Sequence, residues 1–296
     1  MENIDYVKKT RKDGTTLIIK EIDYHVAKDM IVNNHYSKKW NSSFGKHNYG
    51  IFKDGMLMGV AVYGNLMNTK SAKNITDSGK VIELNRLWID DSLGHNTETM
   101  MLSATFTLLR NNTNYDAIQS FADGRLGCGT IYKASNFKYY GYGESVFYEH
   151  IDTKETYHQA PLENTNRPRQ FLMLNVLKMQ GKLRPFVVKT YRYIMPLRKR
   201  VKINLTEQPY PEYDIGYRYI ESRYPIGTYA RLLNMYKAIG YPKGVNLCTK
   251  VLKDRYTMDE ISFELEKQRG NKSYIWFLNE YGNKDGLLDE LENMND

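Results

Sequence analysis

The residues best able to do chemistry are few and well separated. They are His35, Tyr36 and Ser37 in NNHYSKKW, Arg86 in ELNRL, Asp123 in SFADGRLGCG and Tyr132 in TIYKASNF. Histidine is the side chain most easily poised for proton transfer near neutral pH or for metal ligation. At the end of a helix it could instead rest as a cation against the helix dipole. Arg86 falls in an apolar strand pattern, where an unpaired guanidinium is costly, so it either meets an anion or pairs with Glu83. Asp123 closes an apolar run and is followed by Gly124, Gly127 and Gly129. That pattern sets a carboxylate at the carboxyl end of a strand, the edge where open α/β sheets bind ligands. A helix starting after the glycines would aim its first amides at the same edge. The plainer alternative is that Asp123 caps its own turn. Tyr132 follows on that helix, either orienting a substrate or packing in the core. Tyr63, Tyr139 and Tyr140 offer further faces on which a base could stack.

The elements that must position these residues follow from pattern. Residues 15–22 are β-branched and short, a strand. Asp23 is an N-cap for a helix over 23–37 with Val26, Met30 and Ile31 on its apolar face. Residues 48–64 read as a hairpin, because Asp54-Gly55 suits a type I′ turn. Residues 80–90 form the strand that carries Glu83, Asn85 and Arg86. Asn96-Thr97 opens a helix to about Arg110, 116–123 is a strand, and GTIYKASNF is a short helix. KYYGYGESVFYEH and KETYHQAP supply two closing strands. The order β-α-β-β-β-α-β-α-β-β predicts an α/β (α+β) protein, a mixed central sheet flanked by helices. It resembles the GNAT acyltransferase fold.

The chain has 296 residues, 42 Lys+Arg against 34 Asp+Glu, a formal charge of +8 and 25 Tyr. This balance permits a polyanion partner. Arg184, Lys189, Arg192, Arg198, Lys199, Arg200 and Lys202 lie in one stretch without an acidic residue, interleaved with Tyr191 and Tyr193. They are the candidate DNA-binding residues; the alternative is a solvated basic strand edge. Cys128 and Cys248 are isolated, which excludes a disulfide framework and a CxxC zinc site. No stretch approaches 18 apolar residues, so a cytoplasmic protein without a membrane partner is expected. The section from about residue 206 to 296 reads as a mainly helical extension for DNA binding or oligomerisation, a homodimer being one form of the latter. Its end, DGLLDELENMND, reads as a frayed or solvated tail.

The blocks HYS, VIELNRLWIDDSLGHNTETMMLSATFTLLR, SFADGRLGCGTIYKASNFKYYG and VVKTYRYIMPLRKRVK, in this order and spacing, resemble the phage Mom family of DNA-adenine modification proteins. The resemblance covers roughly residues 20–205 and implies a GNAT-like catalytic domain over 1–205. It implies conversion of adenine in double-stranded DNA to N6-(carbamoylmethyl)adenine, which shields phage DNA from restriction in the host cytoplasm. Residue by residue, the family's functional positions fall on His35, Tyr36, Ser37, Arg86, Asp123 and Tyr132. The donor stays open. GNAT proteins grip coenzyme A with R/Q-x-x-G-x-G/A, and DSLGHNTE departs from that pattern. Acetyl-CoA is therefore disfavoured, and a glycine-derived or other donor is open; separately, His35 with Tyr36 or Asp123 could hold iron. Three other readings compete: an acyltransferase acting on another amine, a non-catalytic anti-defence factor that binds DNA or a host protein, and a nuclease with a similar Asp-Gly turn, for which the sequence offers no cluster of carboxylates.

Overall fold

The computed structural model describes residues 3–212, 216–282 and 286–293. In chain order the elements are β1 (Tyr6–Thr10), β2 (Thr16–Glu21), α1 (Tyr24–Asn34), β3 (His47–Lys53), β4 (Met56–Gly64), α2 (Ala72–Ile75), β5 (Val81–Ile89), α3 (Thr97–Asn112), β6 (Ala117–Asp123) and α4 (Thr130–Ala134). Then come β7 (Lys138–His150), β8 (Thr156–His158), α5 (Ala160–Glu163), α6 (Pro168–Met179), β9 (Leu183–Pro196) and β10 (Tyr217–Tyr219). Five helices end the chain: α7 (Ile226–Ala238), α8 (Pro242–Lys253), α9 (Met258–Arg269), α10 (Lys272–Tyr281) and α11 (Gly286–Asn293). The chain divides into two compact units, residues 1–143 with 189–216, and residues 144–188 with 217–296.

The first unit is built on a mixed sheet in the order β1-β2-β3-β4-β5-β6-β9-β7. β5 and β6 run parallel, while β1 to β5 are successively antiparallel and β6 meets β9 antiparallel. The β3–β4 hairpin closes through Asp54 at φ 51° and Gly55 at φ 80°, the double left-handed pair that a type I′ turn requires. Asp23 caps α1 by accepting from the His25 amide at 2.7 Å. Strand alternation sends Val60 and Val62 of β4 to Ala27 and Ile31 of α1. Ala61 and Tyr63 go to the other face, where the Tyr63 hydroxyl lies 2.6 Å from that of Thr105 on α3.

One irregularity breaks that alternation. Val62 pairs with Arg86, but Tyr63 pairs with Leu84, so Asn85 is the extra residue of a β-bulge. A single-residue offset exchanges the faces of everything beyond it. Leu84 therefore faces the α3 core, whereas Arg86 and Trp88 emerge on the α1 face beside Phe44. Without the bulge Arg86 would point into the apolar core.

The second unit combines α5 to α11 with short strand pairs. Phe171, Leu172 and Val176 of α6 pack with Tyr229, Leu232, Leu233, Met235 and Tyr236 of α7, and with Leu287 and Leu291 of α11. Three expectations change here. The boundary at 205/206 is not where the compact units divide, because 144–188 pack with the C-terminal helices. The tail expected to fray is helical over Gly286–Asn293 and buries Leu287 and Leu291; Asp285 and residues 294–296 lie outside the described residues. β9, expected as a possible basic edge, runs between β6 and β7. Its basic residues are spaced along an interior strand and the turn after it, and Arg184 belongs to the second unit.

A fragment of residues 206–296 lacks the apolar side chains of α6 and the 2.7 Å bond from the Tyr236 hydroxyl to the Leu172 carbonyl. It should show no cooperative thermal transition by circular dichroism, since Tyr229, Tyr236 and Leu232 would face water. A sharp melt would mean that the C-terminal helices make a core of their own.

Candidate active site

The glycines after Asp123 have separate reasons. At Gly124 a Cβ would stand 2.6 Å from the Lys189 carbonyl oxygen and 2.8 Å from that of Gly216, so backbone passes where a side chain would go. The Gly124 amide donates to the Lys189 carbonyl at 2.9 Å, tying the turn to β9. Gly129 has φ 90°, and a Cβ there would strike Tyr193, Ala122 and Tyr132 at 2.8–2.9 Å. Only glycine satisfies both the left-handed backbone and that crowding. The turn thus brings Tyr132 back against β6.

Beneath it lies a cavity of about 360 Å³, lined among others by His35, Tyr36, Asn85, Arg86, Asp123, Leu126 and Tyr132. This lies within the usual range of ligand pockets. Five of the six residues singled out as catalytic candidates meet here. The sixth, Ser37, acts through His35: its amide donates to His35 Nδ1 at 3.1 Å and its hydroxyl lies 2.9 Å from the same nitrogen. Nδ1 is therefore an acceptor, and the proton of the neutral ring sits on Nε2. His35 is 6% exposed. Burial, followed by the charge of Arg86, pulls its pKa down to about 4. It is not the cation on a helix C-terminus that the sequence allowed.

Asp123 does two things at once. Its Oδ1 accepts from the Arg125 amide at 3.0 Å, the turn cap of the plainer reading. The Arg125 guanidinium also grips both carboxylate oxygens, with Nε 3.0 Å from Oδ1 and 3.1 Å from Oδ2. The sequence reading missed Arg125; the signal was a cation two residues after the acid, within the same tight turn. Arg86 does not pair with Glu83. Glu83 is held by Asn85 and Gln119, each at 3.0 Å. Burial pushes its pKa up, against those two hydrogen bonds. Arg86 stacks on Phe44 at 4.6 Å and donates to the Asn85 carbonyl at 2.6 Å. Its buried Nε has no hydrogen-bond partner among the described residues.

Tyr132 packs its ring on Tyr193, with centroids 5.0 Å apart, and edge-to-face on Phe137. Its hydroxyl is hydrogen-bonded to that of Ser120 at 2.9 Å, and burial lifts its pKa to about 12. Tyr132 thus lines the cavity with both its ring and its hydroxyl already engaged. Tyr36 and Leu126 stand at the cavity 59% and 64% exposed. Tyr63 and Tyr139 are buried and cannot receive a base. α4 has five residues, too few for a strong terminal dipole.

The donor turn before α3 does not fit a coenzyme A diphosphate. Asp90 accepts from the Ser92 amide at 2.9 Å, Asp91 follows it, and Arg11 donates to the Thr97 hydroxyl. The turn thus carries two carboxylates in succession. Iron fares no better on the donors present. His35 Nδ1 is engaged by Ser37, the oxygens of Asp123 are gripped by Arg125, and the described residues hold no cluster of three His, Cys, Asp or Glu in metal-binding geometry. Among the proposed DNA contacts, Arg198 is turned inward. It donates to the carbonyls of Thr113 at 2.7 Å and Tyr115 at 3.2 Å. Lys199, Arg200 and Lys202 are exposed, and Arg192 lies over Phe121, a cavity residue.

The model of the Mom protein family matches residues 16–212 of this chain. The chain belongs to that family. The Mom relative named methylcarbamoylase mom, from Escherichia phage Mu, is 34% identical over an alignment of 208 residues, with coverage of 66% of this chain and 84% of the relative. The match contains every side chain that lines the cavity. Solved structures with similar coordinates include a protein of the GNAT acetyltransferase family from Desulfovibrio desulfuricans, with a TM-score of 0.35, 8% identity and coverage of 62% of this chain and 99% of that one. An N-acetyltransferase from Staphylococcus aureus Mu50 gives 0.32 and 10%, over 61% of this chain and 97% of that one. No described helix is long and apolar enough to cross a membrane.

The state of His35 can be checked directly. Its folded pKa of about 4 lies below the ordinary 6.5, so between those values the unfolded chain binds the extra proton more readily. The stability this contributes is complete above about pH 6.5, shrinks as pH falls, and is gone below about pH 4; the full loss is on the order of 3 kcal/mol. An NMR titration should find the His35 midpoint near 4, and His35→Gln should flatten the acid limb of the urea-stability profile. A midpoint near 6.5 would contradict the burial argument.

Proposed function

We propose that this chain modifies the N6 amine of adenine in duplex DNA by a carbamoylmethylation-type transfer, protecting phage DNA from restriction in the host cytoplasm. The single observation that carries the reading is that His35, Tyr36, Arg86, Asp123 and Tyr132 line one cavity within the Mom-family match. A family member from phage Mu named as a methylcarbamoylase supports the transferred group.

The N6 lone pair is delocalised into the purine, so the amine must be oriented and relieved of a proton as it attacks. Asp123 is the acceptor in this reading, with Arg125 fixing the plane of its carboxylate. As the bond from N6 to the donor carbon forms, that carbon's bond to its leaving group breaks and the N6 proton passes to Asp123. His35 stays neutral and offers Nε2–H. Arg86 receives an anionic group of the donor, for which a glycine-derived species is one candidate, or a DNA phosphate. A stacked base cannot reach such a cavity, so it must swing out of the helix. Tyr36 and Leu126, exposed at the mouth, offer surface to the bases left behind. The acyltransferase alternative on another amine needs a diphosphate cradle, and the acidic turn before α3 speaks against it.

Nucleoside mass spectrometry of DNA from expressing cells tests the reading. Modified adenine should appear with the native chain, fall by about 10²-fold or more in Asp123→Asn, and fall by several-fold in Leu126→Ala. Unmodified adenine with the native chain in a phage-infected host would refute the assignment. Duplex binding should fall with salt. The triple change Lys199→Gln, Arg200→Gln and Lys202→Gln should reduce the slope of log K against log salt by up to about 3; an unchanged slope would remove this turn from the DNA footprint.

A further inference from the structure

The second unit contains a cavity of about 400 Å³, closed by β7, α6, the segment before α7 and the first turn of α7. Its wall holds Lys178, which is 5% exposed. The ammonium donates one hydrogen bond, to the Arg223 carbonyl at 2.6 Å. The rings of Tyr148, Tyr224 and Tyr229 surround it, with centroids 5.1, 5.0 and 5.5 Å away. No carboxylate among the described residues comes within ion-pair distance of it, and no second acceptor is within hydrogen-bond reach. An ammonium has three donors. Two therefore remain without an oxygen or nitrogen acceptor from the protein.

The neighbouring polar groups are already committed. Asn175 donates to the carbonyls of Leu162 at 3.0 Å and Phe171 at 2.8 Å, and accepts from the Tyr229 hydroxyl at 3.1 Å. Glu163 is hydrogen-bonded to Gln159, and Glu144 pairs with Arg218 at 3.0 Å. The wall is thus mixed, with Glu144, Glu163, Glu221, Arg218 and Arg223 also lining the cavity, and the tyrosine-ringed ammonium of Lys178 is the cation left short of acceptors. A buried charge without a counter-ion costs stability unless something supplies the opposite charge. Tyrosine faces offset part of that cost, but they cannot accept the two spare protons as oxygens do. Burial pulls the pKa of Lys178 to about 8, with Glu163 opposing.

We propose that this cavity is a binding site for a small organic anion, a carboxylate or phosphate whose oxygens complete the shell of Lys178 and whose apolar or aromatic body lies against Tyr148 and Tyr229. The site is independent of the DNA-modification reading, since all its residues belong to the second unit.

The test uses the full chain with selectively ¹³C-labelled lysines, so that Lys178 is read by its own signal. The probes are benzoate and phenyl phosphate, with benzyl alcohol as the uncharged control. Glu144, Glu163 and Glu221 face the cavity with Arg218 and Arg223, and Arg255 lies over Tyr224, so the midpoint is compared with and without probe at fixed salt. We expect saturable one-to-one binding that raises the Lys178 midpoint from about 8 toward 10 and weakens at least tenfold in Lys178→Met. Binding of benzoate alone would assign a carboxylate ligand, and binding of phenyl phosphate alone a phosphate ester. A Lys178 midpoint that stays put with either anion, or equal response to benzyl alcohol, would overturn the proposal. So would a Lys178→Met chain that folds and binds the anions as tightly as the native chain. If that variant does not fold, the midpoint measured on the native chain decides alone.

Discussion

A guanidinium without a carboxylate beside it sets the terms for the first cavity. Arg86 is held by a phenyl face and one main-chain carbonyl, while its nearest candidate partner, Glu83, is turned to Asn85 and Gln119. Burial in this state is costly, and burial lowers the pKa of Arg86. The same charge helps to keep His35 neutral. The field in the cavity therefore favours an incoming anion and disfavours a second cation. The one-residue bulge at Asn85 is what creates this situation, because it carries Arg86 from the apolar α3 face to the open α1 face.

Asp123 is the complementary case. It has a cation of its own, and the pair is rigid: the turn amide and the guanidinium of Arg125 fix both oxygens. A carboxylate immobilised in this way loses little entropy when it takes a further proton donor such as an exocyclic amine. The glycine turn is the mechanical condition for this arrangement. It must pass close to backbone at Gly124 and return in a left-handed conformation at Gly129, so that Tyr132 packs under the strand that ends in Asp123. Carboxylate, guanidinium and neutral imidazole thus come from the end of β6, the interior of β5 and the C-cap of α1.

Much of the first unit was legible in the sequence because its signals are local. The Asp54-Gly55 turn, the Asp23 cap and the alternating strands each depend on a few adjacent residues, and each lies where expected. The bulge left one trace in the sequence, the successive polar pair Asn85-Arg86 that interrupts the alternation of ELNRL, but only pairing with β4 identifies Asn85 as the extra residue. Arg125 was overlooked because its partner and role are fixed by turn geometry. Arg198 looked like a phosphate contact by type, yet it caps the carbonyls of Thr113 and Tyr115, which lie 85 and 83 positions away. The cut at residue 205 followed a change in composition. The core instead follows α6, whose Phe171 and Leu172 are indistinguishable by pattern from residues of the first unit.

The two cavities share a physical design although they lie in different units. In each, a long cationic side chain is buried against aromatic rings and left short of acceptors: Arg86 on Phe44 in one, Lys178 among three tyrosines in the other. Aromatic faces can shelter such a cation without neutralising it, which a carboxylate partner would do. Selection for stability alone would favour replacing such a residue with an apolar one of similar size, because an unpaired buried charge weakens the fold. A cation kept in that condition beside an open volume is most simply accounted for by a ligand that brings the missing charge. On this argument the cavity that the C-terminal helices form with residues 144–188 fits the anion proposed for it.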